Sequence, residues 1–315
     1  MNLGMSSAIL SKLQRVGLAL LLGSNLGMAV LFANPHSAIA GVITLPDGAR
    51  CEGELTEGKL SGPGSCQYAN GDRYEGSFKN GEFDGKGTFT SANGIRYEGS
   101  FTNSSPSGRG VFTFSNGTRC EGDIKEGKVN GKGVCEYANK NRYEGELLNN
   151  FPHGQGIYTF AEGGRYEGQF SEGQFHGKGV REYPNGNRYE GEFVKGNTQG
   201  QGLFTFKEGG RYQGPFDNGE FSGEGVREFA NGDSYKGTFV KGKMSGKGVY
   251  VFKNGDSCEG EFSEGQFNGK GTCIYANGDR YQGEFLKGQK HGQGSYIYAD
   301  GTKVEGNWQQ GQLQK

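Results

Sequence analysis

The chain has few of the side chains that catalysis most often uses. Only four of its 315 residues are histidines. Three of them, His153, His176 and His291, occupy equivalent places in a repeated segment, in the loop before a Gly-x-Gly. Neighbouring copies of that segment would lie too far apart to share a metal ion. No Ser-His-Asp or Cys-His arrangement is visible, so we predict a protein that is not an enzyme and holds no metal or cofactor.

A strongly basic or acidic stretch is also missing. The 34 Lys and Arg balance the 35 Asp and Glu, the formal net charge is −1, and the two signs are interleaved. Nucleic-acid-binding proteins carry a basic patch or stripe. The charge pattern therefore predicts no nucleic-acid partner.

Hydrophobic residues are scarce, at 32%, whereas there are 62 glycines. Without a period, such a composition would indicate disorder. Here the glycines recur at a fixed spacing, which indicates that they have a structural purpose.

A segment of 23 residues accounts for most of the chain. Its first residue, which we call the anchor or position zero, recurs twelve times without insertion or deletion. The anchors are Cys51, Tyr74, Tyr97, Cys120, Tyr143, Tyr166, Tyr189, Tyr212, Tyr235, Cys258, Tyr281 and Val304. A fixed period of this length marks a repeat architecture, in which each copy packs against its neighbours.

Each copy has the sequence pattern of a β-hairpin. A Gly-x-Gly begins eleven positions after every anchor but the last, as in Gly85 and Gly87, and a turn dipeptide such as Asn93-Gly94 follows an apolar run. Asn-Gly between alternating apolar residues is the strongest short-range hairpin signal. The pattern predicts a strand, a glycine-containing loop, a second strand and a tight turn.

This pattern, YEGxFxxGxxxGxGxxxxxNG, resembles the MORN repeat (membrane occupation and recognition nexus) over residues 41–312. The resemblance implies an all-β protein, an elongated, twisted, single-layer antiparallel meander of tandem hairpins that serves as a scaffold or docking surface. Phospholipid binding has also been proposed for the family. We therefore expect residues 41–315 to form one array of about twelve repeats.

Residues 1–40 lie outside the repeat. Lys12 and Arg15 precede an apolar run, and Ala38-Ile39-Ala40 has the form of a cleavage site. These features predict a signal peptide that is cleaved after Ala40, and hence an exported protein in the periplasm, secreted or in another extracytoplasmic compartment. The alternative is an uncleaved segment that anchors the protein in a membrane.

The two faces of the predicted sheet differ in chemistry. Positions zero, two and four carry an aromatic anchor, a glycine and an aromatic residue on one face, so that rings can lie over glycines. The other face is charged, and we interpret it as a solvated cover. Its expected cross-strand pairs include Asp123 with Lys132 and Glu261 with Lys270.

The six cysteines form three pairs with the same spacing of fifteen residues: Cys51 with Cys66, Cys120 with Cys135, and Cys258 with Cys273. Positions zero and fifteen face each other across a hairpin, close enough for a disulfide. We predict three disulfides, which suit an exported protein. A zinc site is the alternative, but two cysteines without further ligands make a poor one.

Two copies carry arginine at position fifteen, where most others carry an aromatic residue. We expect Arg181 to lie between Tyr166 and Tyr189, and Arg227 between Tyr212 and Tyr235. One interpretation is that each guanidinium stacks on these rings. The other is that the six residues contact an anionic ligand such as a glycan acid or a lipid phosphate.

Together these features predict an exported, non-enzymatic scaffold that binds protein partners or the surface of the cell envelope. The alternative is a binding module that holds glycans or anionic lipid headgroups in an aromatic groove. The terminal strands have open edges, which invite pairing, and Trp308 is the single tryptophan. We therefore also predict an end-to-end homodimer through the C-terminal repeat.

Overall fold

A computed structural model describes residues 39–314, and all regular structure in that range is β-strand. The predicted signal peptide, residues 1–40, lies outside the described residues except for its last two. The chain forms two compact units. The first contains the residues up to 161 together with 170–173, and the second contains 162–169 together with the residues from 174 onward.

Both units are antiparallel meanders of β-hairpins. The strands wholly within the first unit are β1 (Ile39–Thr44), β2 (Arg50–Thr56), β3 (Lys59–Gln67), β4 (Arg73–Lys79), β5 (Glu82–Thr90), β6 (Arg96–Thr102), β7 (Ser105–Thr113), β8 (Arg119–Lys125), β9 (Lys128–Glu136), β10 (Arg142–Leu148) and β11 (Phe151–Thr159). Residues of β12 (Arg165–Ser171) belong to both units. The second unit holds β13 (Gln174–Glu182), β14 (Arg188–Val194), β15 (Asn197–Thr205), β16 (Gly210–Asp217), β17 (Glu220–Phe221), β18 (Gly223–Phe229), β19 (Ser234–Val240), β20 (Lys243–Val251), β21 (Ser257–Ser263), β22 (Gln266–Ile274), β23 (Arg280–Leu286), β24 (Gln289–Ile297), β25 (Lys303–Gln309) and β26 (Gln312–Leu313). Within each unit, strands adjacent in the chain pair antiparallel, except that β17 and β18 both pair with β16, and this pattern confirms the predicted hairpin fold.

The turn inside each hairpin lies at positions six and seven. Asn80 and Gly81 connect β4 to β5, with φ of 53° and 88°. Two consecutive residues of positive φ are typical of a type I′ turn, whose twist matches that of the flanking strands. The two strands are thus joined by a glycine-containing turn, as predicted, but the Gly-x-Gly and the histidine position lie within the second strand, so their predicted place in that loop is wrong.

The first glycine of each Gly-x-Gly produces a β-bulge. Gly76 of β4 pairs with Gly87 of β5, but Phe78 pairs with Phe83, so one residue of β4 faces three of β5. Gly85 lies in that bulge with φ of 96°, a conformation that glycine adopts without steric cost. The same shift beyond position two occurs in other hairpins, such as β10–β11, β14–β15 and β19–β20.

The predicted ion pairs on the charged face are wrong because of this shift. Asp123 pairs with Asn130 and Arg109, and Lys132 pairs instead with a glutamate of β10. Glu261 and Lys270 also face other strands, Lys247 and Glu284 respectively. The observed ion pairs mostly join arginine and glutamate two residues apart in one strand, and their exposure limits each to about 0–1 kcal/mol.

The core lies on the aromatic face and is built in layers. Tyr74 is fully buried, and its hydroxyl donates to the Ser77 carbonyl oxygen at 2.8 Å. A Cβ placed on Gly87 would lie 2.5 Å from that hydroxyl, so the ring rests directly on the glycine backbone. Phe83, at position nine, stacks on the ring with centroids 3.6 Å apart. The predicted packing of rings over glycines is thus confirmed.

This contact predicts a large effect for a small substitution. We expect Gly87→Ala to destabilise the first unit by about 2–3 kcal/mol, because its methyl group would displace the Tyr74 ring. Gly301→Ala is the control: that glycine has φ of 87°, and a Cβ placed on it would meet no atom within 4 Å, so it tests backbone strain alone, about 1 kcal/mol. Urea unfolding of both variants measures the difference, and equal losses would contradict the steric argument.

Candidate functional site

The anchor tyrosines named as candidate ligand contacts are fully buried. This holds for Tyr166, Tyr189, Tyr212 and Tyr235. Glycines cover one side of each ring, and position nine covers the other where it is aromatic: Phe175 lies 3.9 Å from Tyr166, and Phe221 lies 3.9 Å from Tyr212, centroid to centroid. A ligand on this face therefore meets the position-nine residues and not the tyrosine rings.

Arg227 lies between Tyr212 and Tyr235 in the register, as expected, but its guanidinium contacts other rings. The guanidinium carbon is 3.6 Å from the Phe206 centroid and 5.3 Å from that of Phe229. Burial lowers the pKa of the Arg227 guanidinium. Its Nε is buried and has no hydrogen-bond partner among the described residues.

Arg181 occupies the equivalent place two copies earlier in the second unit. It pairs with Tyr189 in the register. Its guanidinium carbon lies 5.8 Å from the Phe175 centroid and 5.4 Å from that of Tyr183. Both arginines thus contact rings at positions nine and seventeen, in place of the anchor tyrosines that the alternation of the strand predicts.

The accessible aromatic residues of the second unit lie mainly at position seventeen, which we call the outer row. Phe252 is 39% exposed and Tyr298 is 44% exposed. Each contacts a position-fifteen ring, with centroid distances of 4.7 Å between Phe252 and Tyr250 and 4.8 Å between Tyr298 and Tyr296. The sequence held the signal for this row, because ten of the eleven residues at position seventeen are Tyr or Phe.

A hollow of about 600 Å³ opens between the outer row and the position-nine residues around one disulfide, Cys258–Cys273. Its walls include Met244 and Lys290, both at position nine, and Tyr275 of the outer row. The hollow and the outer row together form what we call the aromatic groove.

Lys290 stands at one end of the hollow. Its Nζ lies 4.4 Å from the Tyr296 centroid and 4.9 Å from that of Trp308. Burial lowers the pKa of the Lys290 ammonium, and the nearby Asp279 carboxylate opposes this shift. Tyr296 donates to Asp279 at 2.7 Å, and this bond is the main reason that the pKa of Asp279 is lowered.

The predicted disulfides are present: Cys51–Cys66, Cys120–Cys135 and Cys258–Cys273. Their partners face each other in the register. Within residues 39–314, no group of three or more His, Cys, Asp and Glu side chains is placed to hold a metal ion. In the same range, no helix has the length and apolar character needed to cross a bilayer.

The family model of the MORN repeat matches eleven consecutive segments between residues 51 and 303, each starting at an anchor. This chain belongs to the MORN repeat family. The matches to this MORN repeat protein coincide with the 23-residue copies, and the twelfth anchor, Val304, lies beyond the last of them. A search of curated proteins found no match.

Some solved structures resemble this MORN repeat protein over much of its length. The TCP10 domain of Danio rerio CPAP, in complex with a peptide of Danio rerio STIL, is 13% identical, and the match covers 86% of this chain and 100% of that chain with a TM-score of 0.26. The TCP domain of SAS-4 from Drosophila melanogaster is 14% identical, with 67% and 99% covered and a TM-score of 0.29. Scores this low do not establish a shared arrangement of the strands.

Proposed function

We propose that this MORN repeat protein is a non-enzymatic scaffold that docks a protein partner in the aromatic groove of its second unit. MORN repeats generally serve in protein or membrane interactions. The observation that carries the proposal is the partial exposure of the outer row, with Phe252 at 39% and Tyr298 at 44%. Exposed aromatic clusters are typical of protein interfaces, where such residues contribute much of the binding energy.

The position-nine residues favour a protein over a repeating polymer. Sugar faces stack on flat, accessible rings, but the anchor rings are covered. The covering residue changes from copy to copy in the second unit: Phe175, Thr198, Phe221, Met244, Phe267 and Lys290. An irregular surface of this kind matches an irregular partner, and only a protein offers such varied side chains.

The experiment compares two double variants, each of which replaces two partly exposed apolar residues by serine. Phe252→Ser with Tyr298→Ser alters the groove. Val240→Ser with Ile274→Ser alters the opposite face, where these residues are 51% and 53% exposed. We expect a captured partner, once purified, to bind the groove variant at least tenfold more weakly and the control variant normally. Binding to polysaccharide or liposomes alone, or equal binding by both variants, would overturn the proposal.

A second candidate function is the binding of an anionic group, such as a glycan acid or a lipid phosphate, near Arg181 and Arg227. The buried, unpartnered Nε of Arg227 supports it, since a cation in an apolar setting gains from a bound anion. We expect the Arg181→Ala, Arg227→Ala double variant to lose at least tenfold in affinity for anionic liposomes or acidic polysaccharide. Arg211→Ala, on the charged face and paired with Glu228, is the control. Unchanged affinity in the double variant would dismiss this function.

We also propose that the protein is exported, since three disulfides are typical of oxidising compartments. Cleavage after Ala40 would remove two residues of β1 and leave Gly41–Thr44 paired with β2. N-terminal sequencing of the mature protein should then begin at Gly41. An intact N-terminus in the membrane fraction would favour the alternative, an N-terminal anchor.

An end-to-end homodimer through the C-terminal repeat remains a proposal as well. β25 pairs with β24 along its length but with β26 only at Trp308 and Gln309. Within residues 39–314, the other edge of β25 at Lys303–Gly306 has no partner strand, and such edges invite pairing. Trp308 itself is buried, at 8% exposure, so the edge and not the indole would form the contact. If sedimentation shows a monomer at all practical concentrations, this proposal is wrong.

A further inference from the structure

The hollow in the aromatic groove results from the replacement of the anchor tyrosine by cysteine in one copy of the repeat, the copy that begins at Cys258. In a copy with a tyrosine anchor, the position-nine residue lies above the ring, as Phe221 does above Tyr212. The copy that begins at Cys258 has no anchor ring, and Phe267 lies directly on the glycine backbone, with its Cε2 2.9 Å from a Cβ placed on Gly260. The level that Phe221 occupies in its own copy is therefore open above Phe267.

The open level has room for a large apolar side chain, and apolar residues form part of its lining. Its volume of about 600 Å³ lies in the range of pockets that bind small ligands. Met244 and Lys290 close it along the row of position-nine residues, and Phe252 and Tyr275 border it on the side of the outer row. The Cys258–Cys273 disulfide lies beneath the hollow, is nearly buried, and links the strands β21 and β22.

The Lys290 ammonium is the charged group of the hollow whose hydrogen-bond donors are open to a ligand. The Lys290 ammonium contacts rings, and it forms no hydrogen bond or ion pair in the part of the chain that the structure describes. The acid that also lines the hollow, Asp256, is already engaged: one oxygen accepts from the Ala276 backbone N–H at 2.8 Å and the other from the Asn254 side-chain amide at 3.0 Å. A ligand would therefore meet an ammonium with free donors and a carboxylate whose oxygens are occupied.

Resting on the proposed docking function, we propose that the hollow receives a bulky apolar side chain from a segment of the partner protein in the polyproline II conformation, while Lys290 binds a carboxylate three residues further along that segment. Phe267 and Lys290 hold position nine in consecutive copies, two strands apart, which is about 9.6 Å. Three residues of a polyproline II helix make one turn and rise about 9.3 Å, so that the first and fourth side chains lie on the same side. The expected motif is Phe or Leu, two spacer residues, and Asp or Glu.

The first test measures charge recognition by fluorescence anisotropy on the full chain. The probes are the labelled peptide Gly-Ser-Phe-Ser-Ser-Glu-Gly-Ser and the same peptide with Lys in place of Glu. We expect the acidic peptide to bind at least tenfold more tightly. Lys290→Phe, which installs the residue found at position nine in other copies, should abolish the preference, and Lys290→Glu should reverse it. Lys270→Glu makes the same charge change on the charged face and should alter neither affinity.

The second test fills the hollow. Cys258→Tyr with Cys273→Phe installs the pair found at positions zero and fifteen of the copy that begins at Tyr74, so a ring should rest on the glycines and lift Phe267 into the hollow. We expect at least tenfold weaker binding of the acidic peptide, with an unchanged circular dichroism spectrum. If this variant does not fold, the Lys290 variants still decide the question.

Three results would overturn the inference: no binding of the acidic peptide, equal behaviour of Lys290→Glu and Lys270→Glu, or full binding by the filled variant. They are separate from failure of the docking proposal. A partner that is lost on Phe252→Ser with Tyr298→Ser, but retained by the filled variant, would uphold the docking function and reject the hollow as its subsite.

Discussion

Raising the pH from 10 to 12 should unfold the sheet of this MORN repeat protein. Burial raises the pKa of five anchor tyrosines to about 12: Tyr97, Tyr166, Tyr212, Tyr235 and Tyr281. The ordinary value is 10.0. Each therefore stabilises the fold fully below pH 10, and this contribution is lost as the pH rises towards 12, because in that interval only the unfolded chain ionises.

The expected loss is comparable to the whole stability of a domain. One pKa unit corresponds to about 1.4 kcal/mol. If half of each shift is taken to allow for solvent screening, the four of these tyrosines that lie in the second unit together contribute about 6 kcal/mol, against about 5–15 kcal/mol for a typical domain. Alkaline pH therefore removes a term of the same size as the total.

Absorbance at 295 nm and circular dichroism, followed together from pH 8 to 12.5, measure this effect. We expect tyrosine ionisation and loss of strand signal to coincide in steep transitions. Replacing Tyr212, Tyr235 and Tyr281 by Phe should move the transition of the second unit to higher pH. Gradual ionisation near pH 10 with the sheet intact would contradict the burial argument.

Removal of a disulfide should have the second large effect. A closed loop of about fifteen residues contributes about 3 kcal/mol on the chain-entropy estimate. Cys51–Cys66 and Cys120–Cys135 lie in the first unit, and Cys258–Cys273 lies in the second. Full reduction should therefore destabilise the first unit by about 6 kcal/mol and the second by about 3 kcal/mol.

Hydrogen exchange of paired alanine variants localises the effect. Because repeats are stabilised mainly by their neighbours, Cys258→Ala with Cys273→Ala should speed exchange in β21, β22 and the strands beside them. Cys51→Ala with Cys66→Ala is the matched control and should act on β2 and β3. Protection that changes equally throughout the chain would contradict this local account.

The sequence predicted those parts of the fold that depend on the period. The disulfides were predictable because positions zero and fifteen keep one spacing in every copy and face each other whether they carry Cys51 and Cys66 or Tyr74 and Phe89. The position of the turn inside each hairpin was not predictable, because Asn80 and Gly81 resemble the Asn-Gly pair that joins consecutive copies. The bulge at Gly85 depends on a φ of 96°, which composition and spacing do not show.

The candidate site was only partly predictable for a related reason. Alternation in a strand assigns a residue to a face but does not say how high its side chain stands above the sheet. Tyr212 and Tyr235 lie on the predicted face, yet they rest on glycine and are covered from above. Phe252 and Tyr298 extend beyond them and remain exposed, a difference that only the layered packing reveals.

The glycines on which the anchor rings rest, such as Gly76 and Gly87, form a constant layer of the sheet, whereas the residues above the rings vary from copy to copy. Position nine carries residues as different as Leu60, Pro106, Thr198 and Lys290, while the hairpins around them keep the same bulge and turn. Randomising this one position in several copies would thus produce a library of surfaces on an unchanged scaffold. Evolution of a new specificity in such a protein requires no rearrangement of the backbone, only exchange of the uppermost side chains.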